Sequence, residues 1–599
     1  MPFLPEVQAP NRAIPLNEKM FWTALVLLLF FVMYHIVPFG GEVIGGSFVE
    51  FIQTVLASKT GTLLTIGIGP IILASIFLQL FAGAKLIEFN PQDPVDKRRF
   101  TATQKVLAIA LAIIETMLFV LPGVYIGPDP NFGDAGLAMG LIIAQIAFTS
   151  ILLIFLDEVV SKYGVGSGIS LFIAAGVLFL KLPRATYDGI SWIDALFIST
   201  SAVCVTGLTP LNILATFTPV GQAVILILFQ IGGLGIVTLT SFIALLFQQK
   251  GSFRLQDQAV LMEILDDSNL SKLGEMLRAI VRVTLIFESI GALFLWLRWR
   301  NLGFSTGEGI FKAVFHSVSA YCNAGFSNLQ NGLETVGYNR DPVTMLTIMA
   351  LIILGGLGFY TMRELLYNRR YSPDRKRHYS LQTRMILIIS GSLIVLGAAV
   401  IALVQWKDWA GMPAWLRVMN AFFTSVTSRT AGFSTINVGA LSLPSIILIM
   451  LLMYIGASPN STGGGIKVTT FGMLIAASWA FIRGRDRVEI GWRTIPIATI
   501  RRSYIVLLGS LGLIFIAMLL LSIAETAAFE DLLFEVVSAF GTVGLSRGVT
   551  PLLSGFSKIV ITIVMFMGRV GLYTLAIAVG RESVVQHNYT FPETNVMVG

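Results

Sequence analysis

Apolar runs of about 20 residues recur along this chain between short polar connections, each long enough to cross a hydrocarbon core of about 30 Å as a helix. Runs near 20–37, 104–122, 137–156, 220–247, 277–297, 343–366, 384–405, 443–456 continuing through 468–482, 503–523 and 557–579 predict membrane spans, and a shorter run covers 169–182. Between the later runs lie stretches too short to cross. In GEGIFKAVFHSVSAYCNAGFSNLQNG, residues 308–321 predict about three turns of helix, followed by a glycine-containing return. A short helix and return between two full spans is a re-entrant hairpin, tolerated at membrane depth only inside protein or beside water.

The pattern F-x9-G-[LF]-[ST] marks four such places. It runs from Phe197 to Gly207, from Phe315 to Gly325, from Phe422 to Gly432 and from Phe534 to Gly544, so the glycines lie 118, 107 and 112 residues apart. Glycine suits such a turn because no Cβ hinders the carbonyls beside it. A helix that enters from outside and ends at mid-membrane points its partially negative end at the centre. Four such ends, with four sets of loop carbonyls, replace the water shell of a monovalent cation. No acidic residue lies within the six positions before any of these glycines, which argues against a divalent-selective carboxylate ring.

Composition agrees with a multi-span helical protein. Of 599 residues, 55% are hydrophobic and only 13% charged, with a mean hydropathy of +0.80; a soluble chain of this length carries more charge. Segment 1–19 is polar and proline-rich, unlike a cleaved signal peptide. The net charge of +7 matters less than its placement. Six basic residues fall in 369–384 (Arg369, Arg370, Arg375, Lys376, Arg377, Arg384) and six arginines in 483–502. Positive-inside bias makes these loops cytoplasmic, and no aromatic-interleaved basic surface suggests nucleic acid. Cys204 and Cys322 each precede a repeat glycine by three residues and read as small packed residues rather than a disulfide. The four histidines form no metal-ligand spacing, and no nucleotide or hydrolase motif supplies catalytic residues.

The segments SAVCVTGLTP (201–210), FHSVSAYCNAGFSN (315–328), SVTSRTAGFSTIN (425–437) and FEVVSAFGTVGLSRG (534–548) resemble the four pore loops of the Trk/Ktr/HKT potassium transporters, most closely the Ktr-type membrane subunit. The resemblance covers about 183–599. It implies pore loops near 190–212, 308–330, 416–437 and 530–549. Its implied potassium filter comprises Val205, Thr206 and Gly207; Asn323, Ala324 and Gly325; Thr430, Ala431 and Gly432; and Thr542, Val543 and Gly544. An all-glycine set implies potassium as the transported ion, with sodium coupling left open. The family also implies a homodimer and a cytoplasmic nucleotide-binding regulatory ring, with no tightly bound cofactor.

Residues 456–466 interrupt an apolar segment with Gly456, Ser458, Pro459, Ser461, Thr462, Gly463, Gly464 and Gly465. Such a sequence does not stay helical in lipid and must face a pore or be covered by protein. It resembles the family's gating loop. Arg569, in the middle of the last span, is costly enough at that depth to require a cavity or partner. The resemblance implies that it lines the pore. Lys467 either lines the vestibule or snorkels to the cytoplasm, and Glu288 needs a partner that the sequence does not name. Gly-Gly-Leu-Gly at 232–235 and 355–358 predicts close helix packing.

Residues 1–176 hold no copy of the repeat. The segments 57–87, the run from Gln104, and 154–177 resemble the archaeal-type SecY protein-conducting channel, implying about four transmembrane helices with a plug-like segment near 51–66. The later SecY spans have no counterpart. The resulting expectation is an all-α polytopic membrane protein in two parts. Residues 1–176 are SecY-like; residues 177–599 carry four helix–pore loop–helix repeats in pseudo-fourfold arrangement for potassium uptake across the cytoplasmic membrane. The alternatives are a SecY-like translocation or insertion component, and a hybrid whose short junction helix at 169–182 keeps the first repeat from closing the ring.

Overall fold

The computed structural model describes scattered positions between 18 and 78 and the stretches 94–120, 126–128, 134–163, 168–235, 273–300, 305–335, 337–367, 379–485, 487–491 and 493–571. The chain divides into two compact units, residues 1–166 with 576–599, and residues 167–575.

In the first unit, helices Pro94–Val120 and Ala135–Tyr163 bury small and branched faces, with Ala108, Ala112, Ile142 and Ile146 among the enclosed residues. Strands Gly41–Val43 and Ile126–Pro128 pair antiparallel. Of the plug-like segment near 51–66, only residues 62–66 are described, and they form a turn.

The second unit repeats one plan four times: an outer helix, a short pore helix and an inner helix. The outer helices are Gly168–Leu180, Leu273–Trp299, Leu381–Gln405 and Ile497–Ala524. The pore helices are Trp192–Val203, Thr306–Tyr321, Ala414–Thr427 and Phe529–Gly541. The inner helices are Pro219–Leu234, Pro342–Gly356 continued by Phe359–Tyr367, Leu443–Tyr454 continued by Val468–Ile482, and Gly555–Val570. Side-chain oxygens start many of them. Ser191, Thr218, Ser305, Asp341, Ser380 and Ser554 each accept from a backbone N–H three residues on. Proline at the first turn sets the entry of the first three inner helices.

The inner helices stop sooner than their hydropathy predicts. The first ends at Leu234 rather than continuing toward 247, and residues 236–272 lie outside the described set. The second, expected as one span over 343–366, bends by 103° after Gly356. The fourth ends at Val570. The cause is shared: Gly235, Gly358 and Gly571 have φ of +81°, +82° and +88°, a left-handed backbone that terminates a helix and that hydropathy does not register. The long outer helices turn large apolar side chains outward, with Leu403 and Ile523 each 78% exposed, as a lipid-facing surface requires.

Candidate functional site

Each pore helix is anchored by one fully enclosed phenylalanine: Phe197, Phe315, Phe423 and Phe534, all at 0–1% exposure. The third corrects the sequence pattern, because Phe422 is 38% exposed and its neighbour Phe423 takes the buried place. Four residues after each anchor stands a hydroxyl: Ser201, Ser319, Thr427 or Ser538. These hydroxyls fasten the returning strand. Ser201 and Ser538 accept from the N–H groups of Gly207 and Gly544 at 3.0 and 3.1 Å. Ser319 and Thr427 donate to the carbonyls of Phe326 and Phe433 at 2.8 and 2.7 Å. Since Phe423 is the anchor, the third repeat reaches its glycine one residue sooner than the others.

The return strands share one backbone pattern. Val205, Asn323, Thr430 and Thr542 have φ of +58°, +59°, +71° and +49°, and the glycines two residues on have +91°, +69°, +80° and +90°. Positive φ costs a residue with a side chain of order 1 kcal/mol or more and persists only where the surroundings enforce it. Four repeats of the same cost at the same place mark a built site. The four glycines then close a ring. A Cβ at Gly207 would strike the Ala324 carbonyl oxygen, one at Gly325 that of Ala431, one at Gly432 that of Val543, and one at Gly544 that of Thr206. The contacts run from the first loop to the second, third and fourth and back to the first. Eight of the twelve expected residues, the four glycines with Thr206, Ala324, Ala431 and Val543, therefore meet in one closed ring, with backbone packed on backbone where a side chain would intrude.

The outer helices lock the pore helices in place. Ser199, Ser317 and Ser425, each two residues past its anchor, donate to the carbonyls of Ile173, Glu288 and Ile394 at 2.7, 2.6 and 2.8 Å. Three residues beyond each carbonyl is a glycine, Gly176, Gly291 or Gly397, whose Cα faces that same hydroxyl. The helix at 168–180 thus makes the same bond in the first repeat as the full-length outer helices make in the second and third. In the fourth repeat Val536 stands at the serine position.

Beneath the ring, residues 455–467 fold as a compact loop. Ile455 and Ile466 form a parallel bridge, and Gly456 N–H donates to the Ile466 carbonyl at 2.9 Å. The loop reaches the return strands beside the glycine ring, since Gly464 N–H donates to Thr542 Oγ1 at 2.9 Å and a Cβ at Gly463 would strike Thr430 Oγ1. It also caps the second inner helix: Ser458 N–H donates to the Gly356 carbonyl at 3.2 Å, and Phe359 N–H donates to the Asn460 carbonyl at 3.0 Å. Arg569 donates to the Thr462 carbonyl and, at 2.5 Å, to that of Gly232. Lys467 Nζ donates to the Gly463 carbonyl of the same loop at 2.7 Å.

Several participants had no sequence assignment. Arg429, three residues before Gly432 and buried, donates to the carbonyls of Ser390 and Gly456 at 3.1 and 3.3 Å, joining the third outer helix to the start of the loop. A lone arginine three residues before the third repeat's glycine was the available signal. Glu288 gains the partner it needed from another repeat, Gln230 Nε2 at 3.2 Å, with the Cys322 thiol 3.8 Å away. Cys204 and Cys322 are free and buried. The glycine pairs do pack closely, with Gly232 against the Val203 carbonyl and Gly355 against that of Tyr321; Gly568 meets the Phe540 carbonyl in the same way.

Residues 177–585 match the TrkH family model, described as cation transport protein, and residues 62–256 match the SecY model. The Ktr system potassium uptake protein B of Vibrio alginolyticus is 35% identical over 430 residues, covering 70% of this chain and 91% of that protein. Protein translocase subunit SecY of Methanocaldococcus jannaschii is 47% identical over 175 residues, but the matched part is 29% of this chain and only 38% of that protein. The crystal structure of the potassium transporter TrkH from Vibrio parahaemolyticus superposes with a TM-score of 0.57 at 19% identity, over 79% of this chain and 96% of that one. This likeness supports the fold.

Proposed function

The chain belongs to the TrkH family of cation transport proteins, and we propose that it takes up potassium across the cytoplasmic membrane through the ring formed by Gly207, Gly325, Gly432 and Gly544. The single observation that carries this reading is the closed glycine ring, whose loop backbones meet with no side chain between them. Carbonyls held in such a ring suit a monovalent ion of fixed size, because the protein replaces the hydration shell. The name of the Vibrio alginolyticus relative, a potassium uptake protein, points to the same ion.

In this reading Val205, Thr206, Asn323, Ala324, Thr430, Ala431, Thr542 and Val543 complete the filter. The loop from Gly456 to Gly465 is the gate, held shut from below by Arg569 and Lys467 through the carbonyls of Thr462 and Gly463. Displacing it removes the N–H partners of Gly356 and Thr542, so closure is self-capping. A homodimer with a cytoplasmic nucleotide-binding ring on the basic loops completes the assembly, and sodium acts as a coupling ion or a competitor. The SecY-like part matches under two fifths of its relative's length, which argues against protein conduction.

The test is growth of a potassium-uptake-deficient strain at low external potassium, with Gly325→Ser as the probe. Rescue by the unaltered chain, with about tenfold weaker discrimination of potassium from sodium in the variant, is the expected result; tenfold corresponds to about 1.4 kcal/mol. Absence of rescue although the chain reaches the membrane overturns it.

A further inference from the structure

In two repeats, the serine two residues beyond the filter glycine is tied back to the pore helix. In the second, His316 Nδ1 lies 2.8 Å from the Lys312 carbonyl and Nε2 lies 2.8 Å from Ser327 Oγ. A carbonyl only accepts, so Nδ1 carries the proton, and in the neutral imidazole Nε2 then accepts from the serine. Ser327 Oγ in turn accepts from Leu329 N–H at 3.2 Å. The fourth repeat builds the same connection with a different side chain. Ser546 Oγ accepts from Gly548 N–H at 3.0 Å and donates to Glu535 Oε1, while Thr550 Oγ1 donates to Oε2 at 3.0 Å. Both carboxylate oxygens face hydroxyl donors, an arrangement that an ionised carboxylate satisfies.

His316 and Glu535 occupy one structural position, directly after the anchors Phe315 and Phe534. The equivalent residues elsewhere, Ile198 and Thr424, make no such connection, and Ser434 turns its hydroxyl onto the Ile436 carbonyl of its own loop. The glycine contacts run in the order first, second, third, fourth. The second and fourth loops therefore face each other, and the two braces share a diagonal. Glu535 is fully buried, and no basic side chain among the described residues pairs with it; Arg547, nearest in sequence, pairs with Asp531 and Glu530.

The geometry points to His316 and Glu535 as positioning residues that fix the outer end of the filter along one diagonal, with Glu535 also supplying the negative charge that raises cation occupancy there. This inference rests on the cation-uptake reading above. A merely structural glutamate serves folding alone, whereas this one sets affinity and discrimination.

The test is potassium and sodium uptake by the full chain at matched membrane levels, comparing Glu535→Gln, Glu535→Asp and Ser546→Ala with the unaltered protein. Glu535→Gln keeps the volume and removes the charge, so the KM for potassium rises about tenfold while the maximal rate stays within about twofold. Glu535→Asp, which restores the charge, recovers most of the KM. Ser546→Ala leaves the carboxylate and removes the tie, so potassium-over-sodium discrimination falls about threefold or more. It also decides the matter if Glu535→Gln does not reach the membrane. Normal KM and discrimination in every variant, with only membrane level or maximal rate reduced, overturns the inference while leaving potassium uptake standing. Absence of uptake by the unaltered chain overturns the underlying reading instead.

Discussion

The first and third repeats depart from the common plan in opposite places, yet each delivers its glycine to the same ring. The first has a regular pore helix and an outer helix of 13 residues, against 25 in the third. The third has the full outer helix but reaches its glycine one residue early, through Phe423. In both, a serine two residues past the anchor donates to the outer-helix carbonyl, and a glycine one turn on admits the hydroxyl. Three of the four repeats share this small contact, the fourth carrying Val536 in its place, and all four keep the hydroxyl that fastens the return strand. Outer-helix length and loop length are free to vary around them.

Substitutions can break or sharpen that comparison. The largest effect falls on the third repeat's anchor. Phe423→Ala empties an enclosed site and should cost about 3 kcal/mol or more, while Phe422→Ala, on an exposed face, should change little. Thermal stability in detergent distinguishes them, and equal losses would return the register to Phe422. Next comes the docking glycine. Gly176→Val drives a side chain into Ser199 and Leu228, as Gly397→Val does into Ser425 and Leu452. Each should lose about 1–3 kcal/mol by overpacking. A neutral Gly176→Val would mean that the short helix does not dock, so the first repeat is held by other contacts. Smallest is the serine bond itself: Ser199→Ala and Ser425→Ala should each cost about 0.6 kcal/mol, typical of a hydrogen bond between membrane helices. Unequal values would show that the two outer helices are not equivalent supports.

The glycine ring was legible in the sequence because its requirement is local and absolute. Gly207, Gly325, Gly432 and Gly544 each sit where the backbone of another loop leaves no room for a Cβ. Phe422 misled because two phenylalanines stand side by side, and a motif cannot tell which one a helix turns inward. The early ends of the inner helices escaped because hydropathy weighs composition. The apolar runs continue past Gly235 and Gly358, where only the sign of φ reveals the break. Glu288 has no partner near it in the sequence because Gln230 is 58 residues away on a different repeat. The short helix at 168–180 looked inadequate by length, yet the bond it makes to Ser199 depends on one carbonyl and one glycine.

The contacts around the ring have a direction but no first member. The fourth loop rests on the first just as the first rests on the second. A chain rearranged to begin with the second repeat, with the first appended after the fourth, would keep every neighbour in place. The circle is indifferent to where the polypeptide enters it, so a foreign leading segment can join at the first repeat without altering the order in which the loops meet.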